Sequence, residues 1–581
     1  MPTGPPPRCW LDRRNPGAGE TLQSHTDENG LALTTLTQSI GLDDLNLQPT
    51  ANTMSYPDPG QAHGLTTQLK VGMEIHVELA TRSKMWTSAP NYAHPDYFDA
   101  GPNTLLDPVV IGMPGTLPVI NREAVNMSIR VGLALNCSIA SVTKWDRKSY
   151  YYPDLPKNYQ ISQFDLPLCY DGAFDLPLAG AGDPGQAEES SSGGNFPDFS
   201  TKRIRITRAH LEEDAGKLLH DLPGGGFSDG SLVDLNRAGT PLLEIVTEPD
   251  FTSADEAVTF GQALRDICRH LGVTQGIMQK GHMRFEPNIN VIITKPTGEQ
   301  FATPVVEIKN LNSFKAVHGA IIFEHHRQVE QWLADGRVMG ARAKSTRGWD
   351  DQKLETTPQR EKEDADQYRY FPDPDLPTLQ IDEAWVQRLR DGQPEAPLVK
   401  RQRYVDEYGL KPIDADNLLA EPANTRFYEA CLVAGDTGVE PRRVAAVLLN
   451  AGAKRANEQG VALDGLGITP AQVAEIVKLQ ADDRISATAA DTLFGHACES
   501  DASAEQLAEQ HGLLQVNDDS ALDEWVSQVI IDPKNEKAIE QFRGGKDKAI
   551  GPMIGQVMKL SGGQANPKAV GDKIKSLLAS S

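Results

Sequence analysis

The segment Val71–Leu79, VGMEIHVEL, alternates apolar and polar side chains from Met73 onward. Successive side chains of a β-strand point to opposite faces, so this alternation predicts a strand with one apolar and one polar face. The polar face carries Glu74, His76 and Glu78 in a row. Two carboxylates beside an imidazole suit a hard cation or a protonated histidine. A solvent-exposed face of ion pairs explains the pattern equally well. The residues that follow later in the chain decide between these two interpretations.

The composition indicates a globular chain without membrane or secretory segments. Its 581 residues suffice for about two to four domains. No apolar run is long enough to span a bilayer, and the start of the chain lacks the apolar core of a secretory signal. The six cysteines lie far apart with no CxxC pair, which argues against a zinc knuckle and a disulfide framework. A net charge of −24 is unfavourable for general binding of nucleic acid, so any contact with RNA requires a local patch of basic residues.

Residues 1–66 are predicted to form a disordered extension, because Pro, Gly and polar residues dominate and little apolar surface could be buried. Met54 stands just before the first well-patterned segment, and we expect translation to begin there. A mitochondrial presequence is disfavoured, since the stretch contains acidic residues and no clear basic amphipathic helix.

Residues 67–360 are predicted to form one domain of strands, hairpins and interspersed helices. The candidate strands are Lys70–Leu79, Lys202–His210, Ser231–Asn236, Leu242–Thr247, His282–Thr294 and Val305–Asn310. The candidate helices are Asn121–Leu135 and Ser253–His270, and the second opens on Ser253 and Glu256 at capping-box spacing. The segment Gly226–Gly230 matches the nucleophile-elbow pattern GxSxG, but it lies among glycines and is interpreted as a chance match.

The remainder of the chain is predicted to be mainly helical. Ala316–Ala334 has helical spacing, and a charged segment follows to Asp366. The prolines of Gln367–Pro377, QYRYFPDPDLP, predict an extended loop. We expect a linker loop and helical domain over residues 361–467, and a helical tail over residues 468–578.

The end of the tail is basic, with nine bases against four acids from Lys534 onward. Glycines interleaved with lysines let a backbone approach phosphates while the lysines neutralise them. The predicted RNA-binding residues are Arg543, Lys546, Lys548 and Lys559. A solvated helical face is the alternative interpretation.

Clusters of acids, amides and single cations recur in the strand-rich domain. They are Glu212–Asp214, Glu244 with Glu248, the alternating set Arg284, Glu286, Asn288 and Asn290, and the set Lys309, Asn310 and Asn312. Such groups suit Mg²⁺ and phosphate oxygens, whereas zinc would prefer Cys and His. Neither Gly-Lys pair is followed by Ser or Thr, so there is no P-loop, and a bound nucleotide would lie across an antiparallel sheet.

Several long segments resemble the B-subunit family of the tRNA-dependent amidotransferase. The matching stretches are VGMEIHVEL, YYPDLPKNYQISQFDLPL, ITRAHLEEDAGK, SLVDLNRAGTPLLEIVTEPD, EIKNLNSF, YRYFPDPDLP, ISATAADTLF and GQVMKLSGGQANP. They occur in the family's order from Lys70 to Leu578. The resemblance implies an α+β fold: a cradle-like antiparallel-sheet catalytic domain similar to glutamine synthetase, followed by a helical domain and a YqeY-like tRNA-binding tail.

The resemblance also implies a ligase reaction. Mg-ATP would phosphorylate the side-chain carboxylate of Glu-tRNA(Gln), Asp-tRNA(Asn) or both, and ammonia would then displace the phosphate. An amidase subunit would supply the ammonia from glutamine through a channel, and a small C subunit would complete a heterotrimer. ATP and Mg²⁺ are the expected cofactors, no membrane partner is expected, and a cytoplasmic location is favoured over an organellar matrix.

Residue by residue, the resemblance assigns catalytic and metal-binding roles to Glu74, His76, Glu213 and Glu244, with Glu212 and Glu78 as alternatives. Binding of phosphates or of the aminoacyl ester is assigned to Arg284, Lys309, Asn310 and Asn312. Some members bind zinc through paired cysteines after the first strand. Residues 85–88 and 103–110 contain no cysteine here, so we expect no structural zinc.

Two other functions compete with this one. A self-contained amidase would need a nucleophile with a placed base, and none of the cysteines or serines lies in such a motif. A noncatalytic tRNA-binding scaffold would use only the basic tail and would leave the acid and amide clusters of the other domain unexplained.

Overall fold

The computed structural model describes residues 57–177, 201–221, 227–340, 343–361, 368–435, 438–515, 519–562 and 565–580. Most of the predicted N-terminal extension, residues 1–56, lies outside this set, as does Met54. The expectation of disorder does not hold for residues 57–65. There Asp58 accepts hydrogen bonds from the backbone of Gly60 (2.8 Å) and Thr67 (3.0 Å), and residues 61–63 form a 3₁₀ turn.

A mostly antiparallel sheet of ten strands dominates the first half of the described chain. Its strands are β1 (Thr66–Glu78), β2 (Ser138–Ile139), β6 (Cys169–Pro177), β7 (Thr201–Glu213), β10 (Pro241–Thr247), β11 (Met283–Thr294), β12 (Gln300–Ala302), β13 (Val306–Lys309), β14 (Ser345–Asp350) and β15 (Glu355–Glu361). The order is β15-β14-β13-β11-β1-β10-β7-β6-β2, with β12 on β11. Only the β13–β14 pair is parallel among these pairings.

Smaller sheets flank this one. Their strands are β3 (Val142–Thr143), β4 (Asp146–Ser149), β5 (Tyr159–Ser162), β8 (Lys217–Asp221), β9 (Phe227–Asp234), β16 (Phe371–Pro372) and β17 (Leu379–Gln380). Strands β16, β4 and β5 form one sheet, β17 pairs with β3, and β8 pairs with β9. Residues 227–230 belong to β9, which agrees with the interpretation of the GxSxG match as chance.

The apolar face of β1 builds the core of this region, as its alternation predicts. Met73, Ile75 and Val77 are fully buried. They belong to one hydrophobic cluster with residues of the helices α1 (Arg122–Ala134), α2 (Ala254–His270) and α3 (Phe314–Asp335). Burial of one strand face leaves the other face, with its carboxylates and imidazole, for polar contacts.

The remaining helices follow the sheets. They are α4 (Glu383–Asp391), α5 (Pro397–Asp406), α6 (Pro412–Leu419), α7 (Pro422–Gly435), α8 (Pro441–Val447), α9 (Ala453–Gln459), α10 (Pro470–Ala481), α11 (Ala487–Ala497), α12 (Ala504–Gln510), α13 (Asp519–Ile531), α14 (Glu536–Arg543), α15 (Gly551–Leu560) and α16 (Pro567–Ser580). One apolar cluster joins residues 404–508, and another joins residues 522–578. The predicted α+β class, with a large antiparallel sheet and a helical C-terminal region, is therefore confirmed. None of the described helices combines the length and the apolar composition needed to cross a membrane.

Three local predictions need correction. The capping box of α2 is only half formed: Ser253 caps the Glu256 N–H, while the Glu256 carboxylate accepts a hydrogen bond from the Thr252 backbone (2.7 Å). The charged segment before Asp366 contains strands β14 and β15, and β15 is the edge strand of the main sheet, where charged residues are common. Within the proline-rich loop, residues 371–372 form a short edge strand, where a proline is tolerated because no ladder donor is required of it.

Candidate functional site

A row of polar side chains crosses four neighbouring strands of the main sheet. His76 on β1 lies opposite Glu244 on β10 and opposite Arg284 on β11. Glu244 in turn lies opposite His210 on β7. Side chains that are paired in register point to the same face of a sheet, so these four residues form one polar row. Sequence alternation predicted the face of β1, and the strand register supplies its neighbours.

Two groups of potential metal ligands share His76. Glu74, His76 and Glu286 form the first group, and His76, Glu212 and Glu244 form the second. Within each group one ligand atom from every residue lies within 4.8 Å of the others. His76 Nε2 is 3.5 Å from Glu244 Oε2 and 3.9 Å from Glu74 Oε1, and its Nδ1 is 3.9 Å from Glu286 Oε1.

The neighbours of His76 and Glu244 favour the charged forms of these two residues despite burial. Burial alone would lower the pKa of His76, but the Glu244 and Glu286 carboxylates raise it to about 9. Burial alone would raise the pKa of Glu244, but His210 and His76 hold it well below its usual value. The Glu244 carboxylate therefore stays ionised at neutral pH, as a ligand for a cation requires.

The structure separates the two consecutive acids Glu212 and Glu213. Glu212 accepts a hydrogen bond from Ser162 Oγ (3.0 Å) and lies 3.9 Å from His210 Nε2, beside the polar row. Glu213 contacts Lys157 Nζ and accepts a hydrogen bond from the Ile161 backbone (2.9 Å). Consecutive strand residues point to opposite faces. Among the described residues, neither group of potential metal ligands includes Glu213. Glu212, the alternative position, is the one of the two that lies among the potential ligands.

Glu78, the other alternative, is buried beside two arginines. Its Oε1 lies 3.9 Å from Arg284 Nη1 and 4.0 Å from Arg237 Nη1. Arg284 also donates a hydrogen bond to Asp214 (2.7 Å). Burial and the charge of Asp214 raise the pKa of Glu78 to about 7, whereas the two arginines hold the pKa of Asp214 low against the effect of burial. Of the two carboxyls, Glu78 is therefore the one that takes up a proton more readily.

Two of the predicted phosphate-binding residues lie in or beside the polar row, and the other two are exposed away from its hydrogen bonds. Arg284 belongs to the polar row, and Lys309 contacts Glu286 and lies 3.5 Å from Glu307. Burial lowers the pKa of Lys309, but those two carboxylates raise it overall. Asn310 and Asn312 are exposed after the end of β13, and Asn310 has a left-handed φ of 66°. Among the described residues, no hydrogen bond joins either amide to the polar row.

Sequence reasoning missed Lys148 and His210. Lys148 Nζ lies 4.0 Å from Glu212 Oε2, and the charges of Glu212 and Glu244 outweigh its burial and hold its pKa well above the usual value. Lys148 comes from β4, outside the main sheet, so no periodicity connects it with the row. The alternation of Arg208, His210 and Glu212 in β7 was the available signal for His210.

The four predicted RNA-binding residues are exposed on neighbouring elements of the tail. Arg543 ends α14, Lys546 and Lys548 flank Asp547 in the next turn, and Lys559 lies near the end of α15. Lys546 and Lys548 line an open hollow of about 460 Å³ together with Gln541, Asp547 and Ala549. The structure thus places three of the four cations on one short segment.

Comparison with known proteins gives two domain matches. The profile described as the GatB/GatE catalytic domain matches residues 69–387. The profile described as the GatB domain matches residues 426–578. The first range contains the whole polar row, and the second contains all four basic residues of the tail.

Similar curated proteins share one description: each is the B subunit of an aspartyl/glutamyl-tRNA(Asn/Gln) amidotransferase. The chain is 40% identical over 510 residues to that of Rhodopirellula baltica, which covers 88% of this chain and 96% of the relative. It is 41% identical over 516 residues to that of Thermosynechococcus vestitus, with coverage of 88% and 96%. It is 41% identical over 506 residues to that of Geotalea uraniireducens, with coverage of 87% and 98%.

Proposed function

This chain belongs to the GatB family, and on that premise we propose that it amidates misacylated tRNA with ATP and ammonia. The substrates are Glu-tRNA(Gln), Asp-tRNA(Asn) or both. The observation that carries the proposal is the polar row, in which two groups of potential metal ligands share His76. The glutamine-synthetase-like cradle is part of the proposal, supported by a sheet with one face in the core and one polar face.

The donor set fits a hard cation such as Mg²⁺. It consists of the Glu74, Glu212, Glu244 and Glu286 carboxylates with the His76 imidazole. His76 Nδ1 is buried and has no hydrogen-bond partner among the described residues, and it can serve as a ligand once a bound cation displaces the proton that the neighbouring carboxylates favour on this imidazole. These residues would hold the ion, which would offset the charge of the transferred phosphoryl group.

The chemistry requires activation because a carboxylate does not react with ammonia. A side-chain carboxylate oxygen of the aminoacyl group attacks the γ-phosphorus of ATP, and ADP leaves. Ammonia then attacks the acyl carbon, and phosphate leaves with one oxygen of the former carboxylate. Arg284, Lys309 and Lys148 are cations beside the row that can neutralise the phosphate oxygens.

The supply of ammonia and the binding of the tRNA both require groups outside the polar row. None of the residues of the polar row is a nucleophile for glutamine hydrolysis, so we propose an amidase partner that supplies ammonia, with a small third subunit in the complex. The exposed cations of the tail would hold the tRNA backbone. The cytoplasmic location stays a prediction.

The test is an assay of the chain assembled with its amidase partner. Given Glu-tRNA(Gln), ATP, Mg²⁺ and glutamine, the complex should form Gln-tRNA(Gln) with one ATP consumed for each product. Glu244→Gln should lower this rate by at least about 100-fold, because it removes a charge from the row, while glutamine hydrolysis stays measurable. Glu248→Gln is the matched control, since Glu248 lies beyond the end of the same strand and bonds Thr207 (2.9 Å) instead.

Two results would contradict the proposal. Absence of product with both Glu-tRNA(Gln) and Asp-tRNA(Asn) in an assembled complex would favour a noncatalytic scaffold. Glutamine hydrolysis by the isolated chain would favour a self-contained amidase.

A further inference from the structure

Four aromatic side chains contact one another in succession beside the polar row and are here called the aromatic ladder: Phe164, Tyr370, Tyr368 and Tyr150. Phe164 and Tyr370 are stacked, with ring centroids 4.3 Å apart and an angle of 12° between the planes. Tyr370 meets Tyr368 edge-on at 6.2 Å, and Tyr368 meets Tyr150 edge-on at 6.0 Å. Phe164 keeps 43% of its surface exposed. The Phe164 ring is therefore open to a ligand, while the three tyrosines are half-buried.

The ladder is assembled from three separate segments. Tyr150 follows β4, Phe164 follows β5, and the two other tyrosines precede β16. Pairing of β16 with β4 and of β4 with β5 brings the segments together. Arg147 on β4 fixes the last segment through a hydrogen bond from its Nε to Asp373 (2.7 Å). The ladder is therefore held in place by the fold.

Cations border the ladder. Lys148 Nζ lies 5.4 Å from the centre of the Tyr368 ring. Arg208 donates a hydrogen bond to the Phe164 carbonyl (3.3 Å) and makes no ion pair with any described carboxylate. Arg369, between the two tyrosines, is exposed and has a left-handed φ of 47°, which is uncommon for a residue other than glycine. Rings edged by cations of this kind suit a ligand with aromatic bases and phosphates.

The ladder also reaches the polar row. Lys148 touches both, since its Nζ is 4.0 Å from Glu212 Oε2. Burial raises the pKa of Tyr370 to about 12, and the charges of Lys148, Glu212 and Glu244 act on its hydroxyl as well. A ligand stacked on the ladder would therefore have its end close to the candidate metal ligands.

We propose that the aromatic ladder binds the unpaired 3′ end of the aminoacyl-tRNA by base stacking and so directs the aminoacyl ester to the polar row. This inference rests on the proposed function. Only unpaired bases offer their faces to aromatic side chains, because bases inside a duplex are already stacked. The bordering cations Lys148, Arg208 and Arg369 complement the phosphates that link those bases.

The test measures binding of uncharged tRNA(Gln) to the complex of this chain with its amidase partner at one fixed salt concentration. Two probes are compared, the intact tRNA and a tRNA without its unpaired 3′ nucleotides. Phe164→Ala should weaken binding of the intact tRNA by about 5- to 150-fold, the loss of one stacked base. Binding of the shortened tRNA should not change, and Phe164→Trp should bind the intact tRNA as tightly as the wild type does.

The controls separate stacking from damage elsewhere. Val433→Ala, at a position 82% exposed on α7, should bind both probes as the wild type does. Equal weakening of both probes by Phe164→Ala, or no effect on either, would overturn the proposal. A raised KM for ATP with unchanged tRNA binding would assign the ladder to the nucleotide instead and would overturn it as well. The tRNA-binding outcomes do not depend on whether the wild-type complex forms Gln-tRNA(Gln), so a failure of the proposed function would be seen separately, as an inactive complex that still binds tRNA.

Discussion

Glu212 and Glu213 are neighbours in sequence, and the structure predicts opposite consequences for their replacement by Gln. Glu213 faces Lys157 in a pair whose side chains are only 5% and 9% exposed. Removal of one partner of a buried ion pair costs about 3–5 kcal/mol, because the remaining charge is left without compensation. The Gln amide oxygen can still accept the hydrogen bond from Ile161. We therefore expect Glu213→Gln to lower the free energy of unfolding by about 3 kcal/mol.

Glu212→Gln should act on activity and not on stability. Lys148 Nζ lies 4.0 Å from Glu212 Oε2, but Lys148 also has the charge of Glu244 beside it, so neutralisation of Glu212 does not leave that cation without compensation. We expect an unfolding free energy within about 1 kcal/mol of the wild type or above it. The same change should lower ATP-dependent amidation by at least about 100-fold, since it removes a candidate ligand of the cation that offsets the charge of the phosphates.

The assay is urea unfolding followed by tryptophan fluorescence, with amidation measured on the same preparations. Five tryptophans pack in or against the core of the sheet region and report its unfolding: Trp86, Trp145, Trp332, Trp349 and Trp385. Lys157→Met together with Glu213→Gln removes both charges and should recover at least about 2 kcal/mol of the loss.

One combination of results would contradict the different roles of Glu212 and Glu213. An unchanged urea midpoint for Glu213→Gln, combined with a loss of amidation as large as that of Glu212→Gln, would place Glu213 with the metal ligands. The division between the two acids would then be wrong.

Three further predictions concern other parts of the chain. Asp373→Asn should cost about 1–3 kcal/mol and speed hydrogen exchange over residues 371–377, because Arg147 loses a buried partner; unchanged exchange would refute this. Burial and nearby lysines lower the pKa of His282 from 6.5 to about 4. The unfolded chain therefore binds more protons between these values, so stability should fall by up to about 3 kcal/mol as pH drops through this range, and less so in His282→Leu. Replacing Lys546 and Lys548 with Ala should weaken tRNA binding most at low salt and reduce the salt slope by about 1 per lysine, whereas an unchanged slope would exclude both from the RNA contact.

Alternation in sequence was sufficient to predict the faces of single strands. The apolar and polar faces of β1 follow directly from residues 73–79, because the side-chain period of a strand is fixed. The same reasoning placed Glu244 and Arg284 on polar faces. Register between strands is a long-range property, so the row that joins Arg284, His76, Glu244 and His210 was not readable from any one segment.

Other features depend on contacts that leave no local pattern. Strands β14 and β15 carry charged residues, which in sequence look like a solvated loop. Lys148 reaches the row from β4, and its neighbours in sequence give no indication of that contact. The division between Glu212 and Glu213 depends on which strand face the register assigns to each, and alternation fixes only that the two differ.

The most direct test of the central claim follows an oxygen atom from the substrate. Glu-tRNA(Gln) labelled with ¹⁸O in the side-chain carboxylate is converted by the assembled complex with ATP and glutamine, and the released phosphate is analysed by mass spectrometry. Phosphorylation of the carboxylate by this chain predicts one ¹⁸O atom in the phosphate for each Gln-tRNA(Gln) formed, and labelled phosphate should appear at least about 100-fold more slowly with the Glu244→Gln complex. Formation of Gln-tRNA(Gln) with unlabelled phosphate would contradict the account, because the carboxylate would then not have been activated by ATP.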